Sequence, residues 1–257
     1  MDFCGHMADS WVSTHSDYFN NLPLTDTDVE NANKYITIAN DKSLSRNIVE
    51  EIPESIVDKI RSIREEGKKV ILYMESNSAH SGNTYVAEAR IRQHSPYFEN
   101  DTDAYDYINN ICVKHPDWHI LYKPHPISVT RGIHTKINSQ TTTLITEGNL
   151  NDIIKLIDLT ITILSQGAYV SLLERVPTLI LGRLQLNESG AAYTIKGKSE
   201  IEAAMICALK DGFKSELSDR FVLHVARALK YYLFRCENVN LNCRDSKDLA
   251  IAIHDVI

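Results

Sequence analysis

From Lys69 onward, short apolar runs alternate with segments of helical period, and this alternation restricts the fold more than any other feature of the chain. Lys69-Val70-Ile71-Leu72-Tyr73-Met74 is too short for a helix and is bounded by Gly67 and a polar stretch, so it reads as a strand. Ala104 to Val113 has helical spacing (Tyr107, Ile108, Ile111) and leads through Pro116 into a second apolar run, His119-Ile120-Leu121-Tyr122. The pattern continues with a strand at Thr143 to Thr146, a helix at Leu150 to Ile157 capped by Asn149, a strand at Leu159 to Leu164, a helix at Ala168 to Val176 and a strand at Thr178 to Leu181. Fully apolar strands separated by helices predict an α/β domain: a Rossmann-like parallel sheet with helices on both faces. Helices over Ser199 to Leu209 and Leu217 to Phe234 follow, and Leu249 to Ile257 forms a last apolar turn.

The N-terminal part reads differently. Residues 1–48 are polar, with scattered apolar positions such as Trp11, Phe19, Leu22 and Ile36, and are expected to be a linker or the remnant of a preceding domain. Ile52, Ile56, Ile60 and Ile63 then recur at helical spacing up to Gly67, so the organised domain is placed at 49–257.

Charge and cysteines narrow the function classes. A formal charge of -7 without a Lys/Arg block argues against a nucleic-acid surface. Cys4, Cys112, Cys207, Cys236 and Cys243 form no CxxC pair, and no stretch reaches the roughly 18 apolar residues of a membrane span. The N-terminus lacks a signal-peptide pattern, so a cytoplasmic protein is expected. The ten histidines are scattered without HxxxH spacing, and no metal is expected.

In a doubly wound sheet, ligands bind beyond the carboxyl ends of the strands. That rule selects four loops: Glu75 to Asn83, Lys123 to Gly132, Glu147 to Asn149 and Ser165 to Gly167. Lys123-Pro124-His125-Pro126 leaves a strand end with two prolines fixing its backbone; it is either a rigid surface turn or a cradle in which lysine and histidine meet a phosphate. Ser165-Gln166-Gly167 starts a helix, where Ser165 is either an ordinary cap or a phosphate donor beside the exposed N–H groups. Glu147 lies on a third loop of the same edge as a nucleotide contact. Glu174 either binds a ribose hydroxyl pair or faces solvent. Glu75 is a candidate base or nucleophile, set against the ordinary fate of a loop carboxylate, solvation.

Three segments carry a family resemblance: Leu121-Tyr122-Lys123-Pro124-His125-Pro126 with Gly132 behind it, the run SQGAYVSLLERVPTLILGR from Ser165 to Arg183, and SGAAYTI from Ser189 to Ile195. Across about residues 70–195 the chain resembles the C-terminal half of GT-B-fold glycosyltransferases of bacterial capsule and lipopolysaccharide synthesis, in particular the retaining β-Kdo transferases and their capsule-polysaccharide relatives. The resemblance implies a CMP-Kdo donor, a glycan or glycolipid acceptor, no metal, and a position at the inner membrane as a peripheral protein. It implies that His125, Pro126, Ser165 and Gln166 hold the CMP phosphate and that Lys123 and Glu174 line the same nucleotide. It also implies an acidic catalytic residue after the first strand, for which Glu75 is the nearest match, although Ser78 and Ala79 stand where that family carries its acid. A GT-B enzyme has two Rossmann-like domains, so a second domain or subunit would complete the cleft. A non-catalytic nucleotide-binding subunit of a polysaccharide-assembly complex, a glycerophosphotransferase using CDP-glycerol, and a flavodoxin-like fold without sugar chemistry are the other readings.

Overall fold

The computed structural model describes residues 11–41, 51–76, 94–132, 135–137 and 139–233. Six strands form one parallel sheet: β1 (Lys69–Met74), β2 (Trp118–Lys123), β3 (Thr142–Leu144), β4 (Leu159–Thr162), β5 (Thr178–Ile180) and β6 (Tyr193–Thr194). Their spatial order is β3-β2-β1-β4-β5-β6, the doubly wound arrangement in which the chain reverses direction across the sheet beside β1. All five pairings are parallel, and the register puts Met74 level with both Lys123 and Thr162. The loops after β2 and β4 therefore flank the end of β1.

Side chains alternate between faces along each strand, which sorts the core into two layers. On one face Ile71 and Tyr73 of β1 meet Ile120 and Tyr122 of β2 and Ile161 of β4 beneath α5 (Asp101–Cys112). On the other, Val70, Leu72 and Met74 pack with Leu121 against α4 (Glu54–Glu65), whose Ile60 and Ile63 point inward. Complete burial of one such aliphatic side chain contributes about 1.5–3 kcal/mol. α4 starts only after Pro53, because a residue preceding proline is held out of the helical region; Ile52, expected inside the helix, instead packs on its rim. Gly67 ends that helix region at φ +78°.

Between the strands run α6 (Pro126–Arg131), α7 (Leu150–Ile154) and α8 (Gly167–Leu173); α9 (Ile201–Asp211) and α10 (Ser215–Arg227) follow β6, and α10 continues as one π-helical turn, Ala228–Tyr232. α6 falls where only a loop was expected. The expected helix at Leu217 to Phe234 is α10 plus the π turn, and the expected apolar turn at Leu249 to Ile257 lies outside the described residues.

The N-terminal segment, read from the sequence as a linker or the remnant of a preceding domain, is helical over most of its described residues and packs on the sheet domain. It forms α1 (Trp11–Thr14), α2 (Ser16–Asn20) and α3 (Asp26–Asp41); α2 and α3 pack on α10, α3 also meets α8, and α1 packs on α2. Ala32 and Ala39 of α3 are buried with Leu172, Phe221 and Val225. Two alanines allow close helix approach with little apolar signal in the sequence. Polar contacts fasten the segment: Arg227 Nε donates to the Leu22 carbonyl at 3.1 Å, and Lys230 pairs with Asp28 at 2.7 Å.

Candidate functional site

The turn after β2 is built by its own residues and by one neighbour. Pro126 occupies the first position of α6, where a missing N–H costs nothing, and Gly132 at φ +64° closes the helix. The Ile127 N–H donates to His125 Nδ1 at 3.2 Å, so the neutral ring carries its proton on Nε2. The His125 N–H donates to Glu75 Oε2 at 3.0 Å, and the Glu75 N–H donates to the Lys123 carbonyl at 3.0 Å. Glu75 is buried, in contrast to a solvated loop carboxylate. Lys123 Nζ reaches across to the Glu147 carbonyl at 3.2 Å, tying the turn to the loop after β3. In that loop Gly148 has φ +85°, and Asn149 caps α7 through the Asn151 N–H at 2.9 Å.

At the start of α8 the Ser165 hydroxyl accepts the Gly167 N–H at 3.1 Å. Ser165 thus serves as a local cap. Gly167 lies close against β1: a Cβ there would come within 2.7 Å of Met74 Sδ and 3.2 Å of Leu150 Cδ2, so those side-chain ends would have to move aside. The helix start is drawn onto the end of β1, which separates this turn from the Lys123 turn.

Both turns open into one cleft of about 950 Å³. Its sheet side is lined by Lys123, Pro126, Glu147, Gln166 and Gly167, five of the residues singled out from the sequence. Ser165 borders that set. His125 and Glu75 are not among the residues that line the cleft, although His125 adjoins Pro126, which is. Glu174 is not brought to the cleft: it terminates α8, and its carboxylate lies 4.0 Å from Lys155 Nζ, so the alternative of a ribose contact has no geometry behind it. The opposite side comes from α2, α3 and α10, with Phe19, Ile36, Ala39 and Val225, none of them expected as site residues. Helices α1 to α3 carry no long apolar run, so only their packing reveals this wall.

A buried polar cluster beneath the end of β1 was also missed. The Asp101 carboxylate accepts hydrogen bonds from Ser76 N–H at 3.0 Å, from the Ser76 hydroxyl and from the Tyr73 hydroxyl at 3.3 Å. His94 Nε2 stands 3.4 Å from Ser76 Oγ. Burial pushes the Asp101 carboxyl up to about 6; the Ser76 bonds oppose that rise and the nearby Glu75 charge adds to it. The sequence did hold one signal, Asn100 as a cap for α5 with Asp101 in its first turn; Asn100 Oδ1 accepts from the Asp103 N–H at 2.9 Å. No helix among the described residues is long and apolar enough to cross a membrane.

Neither a family model nor a curated protein matches the chain. Solved structures do. KpsC, beta Kdo 2,4 transferase, from Thermosulfurimonas dismutans superimposes with a TM-score of 0.52 at 15% identity, covering 81% of this chain and 59% of that one. The fold is the one found in GT-B glycosyltransferases. The beta Kdo 2,7 transferase of the same organism aligns at TM-score 0.47 and 15% identity, over 78% of this chain and 58% of that one. The chain therefore spans a little under three-fifths of the length of these transferases. In the GT-B-like sheet, the cleft occupies the carboxyl edge where such folds place ligands.

Proposed function

We propose that this chain is the donor-binding part of a glycosyltransferase using a CMP-activated sugar, CMP-Kdo, in capsule or lipopolysaccharide synthesis, acting at the cytoplasmic side of the inner membrane. The observation that carries the reading is the convergence of Lys123, Gln166 and Gly167 on one cleft at the carboxyl edge of the sheet. Shared fold with a protein described as a β-Kdo transferase supports the choice of sugar class.

In this reading Lys123 neutralises the phosphate, and His125, which adjoins the lining residue Pro126 and has Nδ1 occupied by the Ile127 N–H, is the residue whose Nε2–H would serve the departing phosphate oxygen. Glu75 acts as a positioning residue. Its carboxylate holds the backbone N–H of His125, so the acid that attacks the anomeric carbon in a retaining reaction is sought elsewhere. The acceptor, a glycan or glycolipid, would approach with a second domain or subunit.

Calorimetric titration with CMP tests the site. His125→Ala should weaken CMP binding by roughly tenfold to a hundredfold, the range of a hydrogen bond to a charged group. Unchanged affinity would sink the assignment. Competition between CMP-Kdo and CDP-glycerol for the same site separates the sugar donor from the glycerophosphate alternative.

A further inference from the structure

Glu75 holds the His125 N–H, and the peptide units on either side of Glu75 are themselves held. Its own N–H donates to the Lys123 carbonyl at 3.0 Å, which extends the β1–β2 ladder by one residue beyond the Met74–Lys123 pair. The following peptide unit, which carries the Ser76 N–H, donates to Asp101 Oδ1 at 3.0 Å. Peptide units are planar, so fixing both neighbours fixes the two backbone torsions of Glu75 and the direction in which its side chain leaves the chain. From that position Oε2 accepts the His125 N–H at 3.0 Å.

Asp101 is brought to this place by α5, which Asn100 caps and Asp101 opens. The Tyr73 hydroxyl donates to the Asp101 carbonyl at 3.1 Å as well as to its carboxylate at 3.3 Å, which ties the helix start to β1. Ser76, His94 and Asp101 are the residue types of a nucleophilic triad, but here the Ser76 hydroxyl gives its proton to Asp101 while His94 Nε2 stands 3.4 Å away. The three are 2%, 1% and 4% exposed, so no substrate reaches that hydroxyl. The titratable groups around the Asp101 carboxylate are Tyr73 and Glu75 at the end of β1, His94 before α5 and Tyr122 of β2. The cluster is therefore a support beneath the turn.

We infer that Asp101 is a positioning residue of the candidate site, acting through Ser76 and Glu75 to hold the backbone of His125. The inference deepens the reading of the Lys123-to-Pro126 turn as a phosphate site and rests on it for the effect on binding. The geometry it names needs no ligand.

Two measurements on the full chain test it near pH 8, above the value of about 6 to which burial raises the Asp101 carboxyl, so that wild type carries the carboxylate. NMR of the unliganded protein reads the geometry: Asp101→Ala should shift the ring signals of His125 and leave those of His115, which is bonded to Glu202, in place. Calorimetric titration with CMP reads the consequence. Asp101→Ala should weaken binding about tenfold, whereas Asp101→Asn, whose amide oxygen still accepts the Ser76 N–H, should stay within about threefold of wild type. In a His125→Ala background Asp101→Ala should cost no further affinity, because the residue through which it acts is gone. Unmoved His125 signals in Asp101→Ala, or the same loss of CMP affinity with and without His125, overturns the positioning role. A wild-type chain that binds no CMP overturns the phosphate reading, and the His125 signals then decide the positioning role alone. Should Asp101→Ala fail to fold, hydrogen exchange in wild type decides: the Ser76 and His125 amides should open together, and a His125 amide that exchanges while that of Ser76 stays protected overturns the inference.

Discussion

At the scale of single residues, Asp101 makes a clear prediction about pH. Its folded carboxyl is raised to about 6 from an ordinary 3.8, chiefly by burial, so the folded state holds a proton that the unfolded chain has released between those values. The contribution of this group is thus fully present below about pH 4 and is lost as pH rises through about 6, a swing of up to about 3 kcal/mol. His119 and His224 act in the opposite sense: burial depresses each to about 4, and their contribution is lost as pH falls from 6.5 toward that value. Comparison with Asp101→Asn cancels the histidines. Chemical denaturation should show the stability of Asp101→Asn relative to wild type to be more favourable at pH 7 than at pH 4.5; a difference independent of pH would contradict the burial of a titrating Asp101. The sequence singled out Lys123, Gln166 and Gly167 by their place after strands, and all three line the cleft. It could not separate Glu75 from a catalytic acid or Glu174 from a ribose ligand, because a carboxylate's role depends on what faces it across the fold: the His125 N–H for one, Lys155 for the other.

At the scale of elements, the least predictable part is the attachment of α3. Ala32 is fully buried against α10, and replacing it with leucine inserts volume into a contact that is already closed. Ala32→Leu should cost about 1–3 kcal/mol and lower the melting temperature by about 2–4 °C for each kcal/mol lost. It should also speed protease cleavage within residues 11–41; a melting curve unchanged from wild type would show that α3 does not depend on this contact. β1, β2, β4 and β5 were legible because each is buried on both faces and declares itself as an apolar run. α3 was not legible because its buried face is made of alanine and few large apolar side chains. β6 was missed for another reason: at two residues, it is defined by pairing with β5 and by nothing in its own composition.

At the scale of the molecule, the cleft joins two parts of the chain that the sequence read as separate, the sheet edge and the N-terminal helices. A ligand bound there should stabilise the whole fold. CMP at 100 times its dissociation constant is expected to add about 2.7 kcal/mol, which a thermal shift assay reads directly, and Lys123→Ala should abolish the shift at the same concentration. Absence of any shift in wild type would count against the proposed donor. The sequence alone determined the α/β architecture with its parallel sheet and picked out strand-end loops that border the cleft, since periodicity and loop chemistry are local properties. Only the tertiary structure decided which of the candidate residues share a cleft, that Gly167 lies close against Met74, and that α2, α3 and α10 supply the opposite wall. Those facts arise from contacts between residues far apart in the chain, and no local pattern encodes them.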